Sequence, residues 1–297
     1  MNTKKIATLL GTVTATVCLI SAMGQAANAS TFYNDWHYAI DPPSDGNLSD
    51  SYPQNSIYEL YGIAIKHDAE ADKVYVAINS DFPIEGDRDD PEGQFSRYEW
   101  GDFFFNFSDL SSLDNAQGSL LAVRFGEYAE SIDGTENSGV GVYSNVTAKT
   151  SYQTLFDSLE YYNIAVYGNG SMADLAINDP YWFDAQGNDP ILNVIDSGQY
   201  IPRSESGFES LNATELTNIG LDFGGVLTET GRETFGFSFN KDLLPSERYI
   251  AHVFETCGND GAAIAVPEPS TMVGLFGLGL TVLGSQISKR RKGNGVS

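Results

Sequence analysis

The sequence predicts an all-β fold, a single antiparallel β-sandwich of jelly-roll-like type with long loops. Three observations lead there. Apolar residues recur with period two in many short runs, no stretch keeps a long helical period, and Gly, Asn and Asp punctuate the runs. The first clear pair is Ile63 and Ile65, then Val74, Val76 and Ile78, each set sharing one face of an extended chain. His67 to Asp72 between them is polar, so the two runs read as an antiparallel hairpin. Phe103, Phe105 and Phe107 repeat the alternation, followed by Leu121, Val123 and Phe125. Ile164 and Val166 give a short strand. Phe235, Phe237 and Phe239 alternate with Gly236, Ser238 and Asn240, and Tyr249 to Phe254 closes the set. Trp100, opening the Phe103 run, is expected in the core. The best helix candidates, Ser151 to Tyr161 and Asn212 to Asn218, span only two or three turns each. Residues 79–99 and 168–220 read as long irregular stretches, which in a compact domain are usually functional or mobile.

The two ends of the chain speak about destination. Lys4 and Lys5 precede an apolar stretch from Ile6 to Met23, and Ala27-Asn28-Ala29 offers the small residues that a signal peptidase reads. Residues 1–29 are therefore expected to be a secretory signal peptide and to take no part in the fold. At the other end, Pro267-Glu268-Pro269 leads into an apolar run from Met272 to Ile287 and a basic cluster, Lys289-Arg290-Arg291-Lys292. The run is sixteen residues long and carries four glycines, short of the ~20 a permanent spanning helix needs. The basic cluster would stay on the cytoplasmic side and leave everything before Pro267 exported. This three-part ending resembles the PEP-CTERM sorting signal of bacterial surface proteins. The resemblance implies that a membrane transpeptidase, exosortase, recognises Pro267, Glu268 and Pro269 and removes the tail. The domain plan is then signal peptide 1–29, sandwich 30–257, linker 258–270 and a transmembrane sorting tail 271–292. The protein would be held briefly in the inner membrane by its C-terminal helix and then reside at the cell surface or outside it.

Composition limits the partners. The two terminal segments hold six of the sixteen basic residues and one of the forty acids, so the body carries a net charge of about −29. Nucleic-acid binding needs phosphate neutralisation by Lys and Arg and is excluded as a function class. Anionic lipid surfaces would repel this body as well. Divalent cations and uncharged glycans remain as partners. Cys18 leaves with the signal peptide, so Cys257 has no partner within the mature chain. It is either a small buried hydrophobe or a thiol for intermolecular pairing.

Candidate sites follow from oxygen and ring chemistry. Hard cations take six to eight oxygen ligands, and calcium is the expected cofactor. Asp81, Glu85, Asp87, Asp89 and Asp90 crowd one proline-containing loop and are the expected metal ligands; otherwise the loop is simply solvated. Asp41, Asp45, Asn47 and Asp50 form a second oxygen-rich group, and Asp184, Asn188 and Asp189 a third. None has EF-hand spacing. For a sugar, an exposed aromatic face with an acid beside it is the natural contact. Tyr181 and Trp182, between Asp179 and Asp184, supply those parts; the alternative is an aromatic plug closing the sandwich. Catalytic signatures are missing. The mature histidines are His37, His67 and His252, and His252 would face away from Cys257 on an extended strand. Glu255 would share a face with Cys257 without activating it.

A second resemblance covers residues 41–254. Asp45-Gly46-Asn47, the Ile63 hairpin, Trp100-Gly101-Asp102 before the Phe103 strand, and the Phe235 strand followed by Leu243-Leu244-Pro245 occur in that order. The order is similar to that of DOMON and family-nine carbohydrate-binding-module sandwiches. It implies a carbohydrate-binding or scaffolding role toward extracellular polysaccharide, without enzymatic activity. The other expectations are a purely structural surface component and a glycan-active hydrolase.

Overall fold

The period-two runs resolve into paired strands in the computed structural model, which describes residues 30–41, 43, 57–87, 98–108, 113–126, 139–154, 190–244 and 248–267. Among these, twelve strands form two six-stranded antiparallel sheets. The first sheet runs in the order β1 (Thr31–Tyr33), β2 (Trp36–Ile40), β3 (Leu60–Asp68), β4 (Lys73–Ser80), β10 (Glu233–Asn240) and β9 (Glu209–Asn212). The second runs β12 (Gly261–Val266), β11 (Tyr249–Phe254), β5 (Phe103–Asn106), β6 (Leu120–Arg124), β7 (Gly141–Lys149) and β8 (Val194–Ile201). The all-β expectation holds.

Alternation decides what lies between the sheets. Val74, Val76 and Ile78 of β4 and Phe235, Phe237 and Phe239 of β10 face Phe103 and Phe105 of β5 and Tyr249, Ala251 and Val253 of β11. Phe103 and Phe237 meet edge to face, with centroids 5.6 Å apart, a geometry favoured by ring quadrupoles. On β3 the register shifts between Leu60 and Gly62. This bulge lets Leu60 and Ile63, three positions apart, both enter the inner core, while Tyr61 and Ala64 face outward. The expected hairpin of β3 and β4 is present, and Asp68 caps its turn by accepting hydrogen bonds from the Glu70 and Ala71 amides, each at 2.9 Å.

Both outer faces carry a further apolar layer. Trp36, Tyr38, Tyr61 and Ala77 of the first sheet pack beneath Leu216, Leu221, Phe223 and Leu227. Leu216 lies on the short helix α2 (Ala213–Asn218), which follows α1 (Arg203–Ser206). The Asn212–Asn218 helix expectation thus holds. Its start is a capping box, in which the Asn212 side chain accepts from the Glu215 amide while Glu215 reaches back to the Asn212 amide. On the second sheet, Phe104, Ala122, Tyr143 and Ile250 pack against Leu113, Ala116, Ile191 and Leu192.

Two stretches differ from expectation. Residues 168–220, read as irregular, include β8, α1, β9 and α2. Residues 258–270, read as a linker, include β12, which pairs with β11 from Val266↔Tyr249 to Gly261↔Phe254 and sends Ala262, Ile264 and Val266 into the core. Its composition of Gly, Ala, one Ile and one Val resembles a spacer, yet small side chains suit a strand covered on both faces. The Ile164–Val166 strand and residues 155–161 of the Ser151–Tyr161 helix candidate lie outside the described residues.

Candidate functional site

The bulged entrance to β3 gathers the most unusual chemistry in the described part of the molecule. Asp41 follows β2 and is fixed there by its amide, which donates to the Tyr61 carbonyl at 3.0 Å. Glu59 precedes β3, and its carbonyl accepts from the Asp81 amide at 2.8 Å and from Ser80 Oγ at 2.7 Å. Asp260 ends the turn before β12. Its Oδ2 accepts from the Leu60 amide at 2.7 Å and its Oδ1 from the Gly261 amide at 2.8 Å. These three acids, from three remote segments, each place a carboxylate oxygen within 4.8 Å of the others. All three are buried, at 2%, 4% and 0% exposure respectively.

A fourth acid stands beside them. Glu255 follows β11, is fully buried, and has its backbone bridged to Trp100. Burial pushes its carboxyl well above the usual range, and the charge of Glu59 pushes the same way; the hydrogen bond from Cys257 works against both. The Cys257 thiol donates to Glu255 Oε2 at 3.4 Å, whereas Glu255 Oε1 has no hydrogen-bond partner among the described residues. Cys257 is itself buried, and burial together with Glu255 raises its thiol pKa. The turn carrying these residues closes with the Gly258 amide donating to the Glu255 carbonyl at 2.9 Å, Gly258 adopting φ +66°.

Of the sequence-predicted metal ligands, Asp81, Glu85 and Asp87 are among the described residues. Asp81 Oδ1 accepts from the Arg232 amide at 2.8 Å and lies 3.5 Å from its guanidinium Nε, while Oδ2 accepts from Tyr61 at 3.3 Å. Asp87 Oδ2 accepts from the Tyr58 hydroxyl at 2.7 Å, and Glu85 is exposed. Among the described residues, Asp81, Glu85 and Asp87 form no joint group of ligand oxygens; the only such group is Asp41, Glu59 and Asp260. Asp89, Asp90, Asp179, Tyr181, Trp182 and Asp184 lie outside the described residues, as do Glu268 and Pro269, whereas Pro267 directly follows β12. Sequence reasoning named Asp41 but missed Glu59 and Asp260. Their signal was context: each is an acid at the edge of an apolar strand rather than in a polar loop.

The histidines have structural surroundings. His252 is stacked on Phe104 at 5.1 Å with its Nε2 3.2 Å from the Leu192 carbonyl, and burial holds its pKa near about 4. His37 and His67 are likewise held near about 4 by burial.

Residues 265–292 match the family model described as the PEP-CTERM protein-sorting motif. The chain carries a PEP-CTERM sorting signal. This motif marks an exported protein sorted to the surface by exosortase, as the three-part ending predicted. The PEP-CTERM match begins at Ala265, inside β12, so the signal and the last core strand share two residues. No described helix is long and apolar enough to cross a membrane, and the apolar run from Met272 lies beyond the described residues. No curated protein and no solved structure matches the chain, and the likeness to DOMON and family-nine modules gains no support from them.

Proposed function

We propose that this exported protein is a non-enzymatic component of the cell surface or extracellular matrix that binds or scaffolds extracellular polysaccharide. In this reading signal peptidase removes residues 1–29, and the C-terminal helix anchors the chain in the inner membrane until exosortase acts. The observation that supports the surface part of the reading is the sorting motif at residues 265–292. With a body charge of about −29, the exported sandwich favours uncharged polymers over anionic ones. The aromatic segment at Tyr181 and Trp182, flanked by Asp179 and Asp184, is the proposed sugar contact.

One observation favours the purely structural alternative. Apolar layers cover part of the outer face of each sheet, which leaves less open sheet on which a long glycan could lie. Glycan contact would then fall to loops. The test is a glycan-retention screen of the full-length chain in detergent, with the producer's own exopolysaccharide included, in calcium and in chelator. Saturable retention weakened about tenfold by Trp182→Ala, roughly 1.4 kcal/mol, is the expected result. Absence of retention in both buffers would leave the structural reading, and release of reducing sugar from a retained glycan would make the protein a hydrolase.

A further inference from the structure

We propose that Asp41, Glu59 and Asp260 form a calcium site, with Glu255 as an adjoining fourth carboxylate, that ties the ends of the folded chain to the entrance of β3. The site is new with respect to the acidic loop at residues 81–90 and independent of the glycan reading.

Spacing is the first argument. Two oxygens that each lie 2.3–2.6 Å from one calcium ion are at most about 5 Å apart. The three carboxylates each offer an oxygen within 4.8 Å of the others, so one ion can reach all of them. The second argument is Glu255. It is fully buried, its amide donates to the Asp260 carbonyl at 3.1 Å, and among the described residues its Oε1 has no hydrogen-bond partner. A buried carboxylate oxygen in that condition is costly unless something positive or a donor reaches it. An ion held by the neighbouring three acids would serve both needs.

Ligand chemistry sets the metal class. The group offers only carboxylate oxygens, the preference of hard cations, and excludes the imidazole and thiolate sets that select zinc or copper. Magnesium usually keeps several waters and few protein carboxylates, whereas calcium accepts a buried, carboxylate-rich cage completed by carbonyls. The consequence is structural. Asp41 closes the N-terminal hairpin, Glu59 opens β3, and Asp260 opens β12, so one ion would fasten three separate strands at a single point. An exported protein meets calcium outside the cytoplasm, so the clasp would tighten after export.

The full-length chain in detergent, stripped with EDTA, would be titrated with CaCl2 by isothermal calorimetry, with MgCl2 in parallel, and melted with and without calcium. The expected result is saturable binding of one calcium per chain and a melting temperature raised by about 5–10 °C at a hundredfold excess over Kd. Glu59→Gln should weaken binding at least tenfold and shrink the calcium-dependent rise in melting temperature. If Glu59→Gln fails to fold, Asp41→Asn serves for the same comparison. Absence of saturable binding and of any calcium effect on melting would overturn the site. Unchanged affinity in both variants would also overturn it, by locating the ion elsewhere, for example on the 81–90 loop.

Discussion

The His67 imidazole, at the end of β3, stacks on the Tyr249 ring, at the start of β11, with Nε2 2.7 Å from the Tyr249 hydroxyl. The two residues belong to different sheets, so this contact stitches the sandwich at one end of its core. Burial keeps the Tyr249 hydroxyl protonated far above the usual range and keeps His67 neutral down to about 4.

A pH dependence follows. An unfolded histidine titrates near 6.5, so between about 6.5 and 4 the unfolded chain binds protons that the folded chain refuses. Stability contributed by neutral His67 is therefore complete above pH 6.5 and is lost as pH falls toward 4. His37 and His252 act in the same sense. Each can contribute up to about 3 kcal/mol over that range, at about 1.4 kcal/mol per pH unit. Glu255 opposes them, since its raised pKa makes the folded state the better proton binder above the carboxylate range. Melting curves between pH 7.5 and 4.5 should show falling stability, with a shallower slope in His67→Gln. An equal slope in His67→Gln and the parent would contradict the neutral state of the His67 ring.

The Cys257 thiol should be silent in the native protein. It is 1% exposed and its pKa is raised by burial and by Glu255. With an aromatic disulfide reagent at pH 8, reaction should be absent over an hour in native buffer and complete in denaturant. Prompt reaction without denaturant would revive intermolecular pairing as a role for this residue.

Much of this fold was legible because strand alternation writes the buried face directly into sequence. Val74, Val76 and Ile78, and Phe235, Phe237 and Phe239, alternate with smaller or more polar neighbours, and the structure puts both sets in the inner core. The sorting tail was legible because a short motif, an apolar run and a basic cluster have a fixed order. The carboxylate group was not. Glu59 and Asp260 are 201 positions apart, and only the bulge at Leu60 and the turn at Glu255 to Asp260 bring them together. Nor was β12, since a strand covered on both faces has no alternation to display.

Gly101 is a position where the backbone leaves no room for a side chain. A Cβ there would lie 2.3 Å from the Asn193 carbonyl oxygen and 2.6 Å from that of Phe254. Both carbonyls are held by hydrogen bonds at 2.9 Å, to the Asp102 and Gly101 amides respectively, so neither can yield cheaply. Gly101→Ala should cost about 1–3 kcal/mol by denaturant unfolding, as overpacking does. Gly139→Ala, with nothing within 4 Å of its added Cβ, should stay within about 0.5 kcal/mol.

The place where the sandwich ends is open to a direct measurement on β12. If residues 258–270 were a solvated linker, truncating Ile264 would matter little, within about 0.5 kcal/mol. In the fold, Ile264 is 1% exposed, sits opposite Ala251 on β11 and packs in the core between the sheets. Ile264→Ala should then cost about 2–5 kcal/mol, the range for deleting a buried branched side chain. Denaturant unfolding of the full-length chain followed by tryptophan fluorescence would decide, since Trp100 belongs to the same core cluster. A cost in that range would mean that the sandwich extends to Val266, and that exosortase meets its Pro267-Glu268-Pro269 signal directly beside a strand it cannot pull away without opening the core.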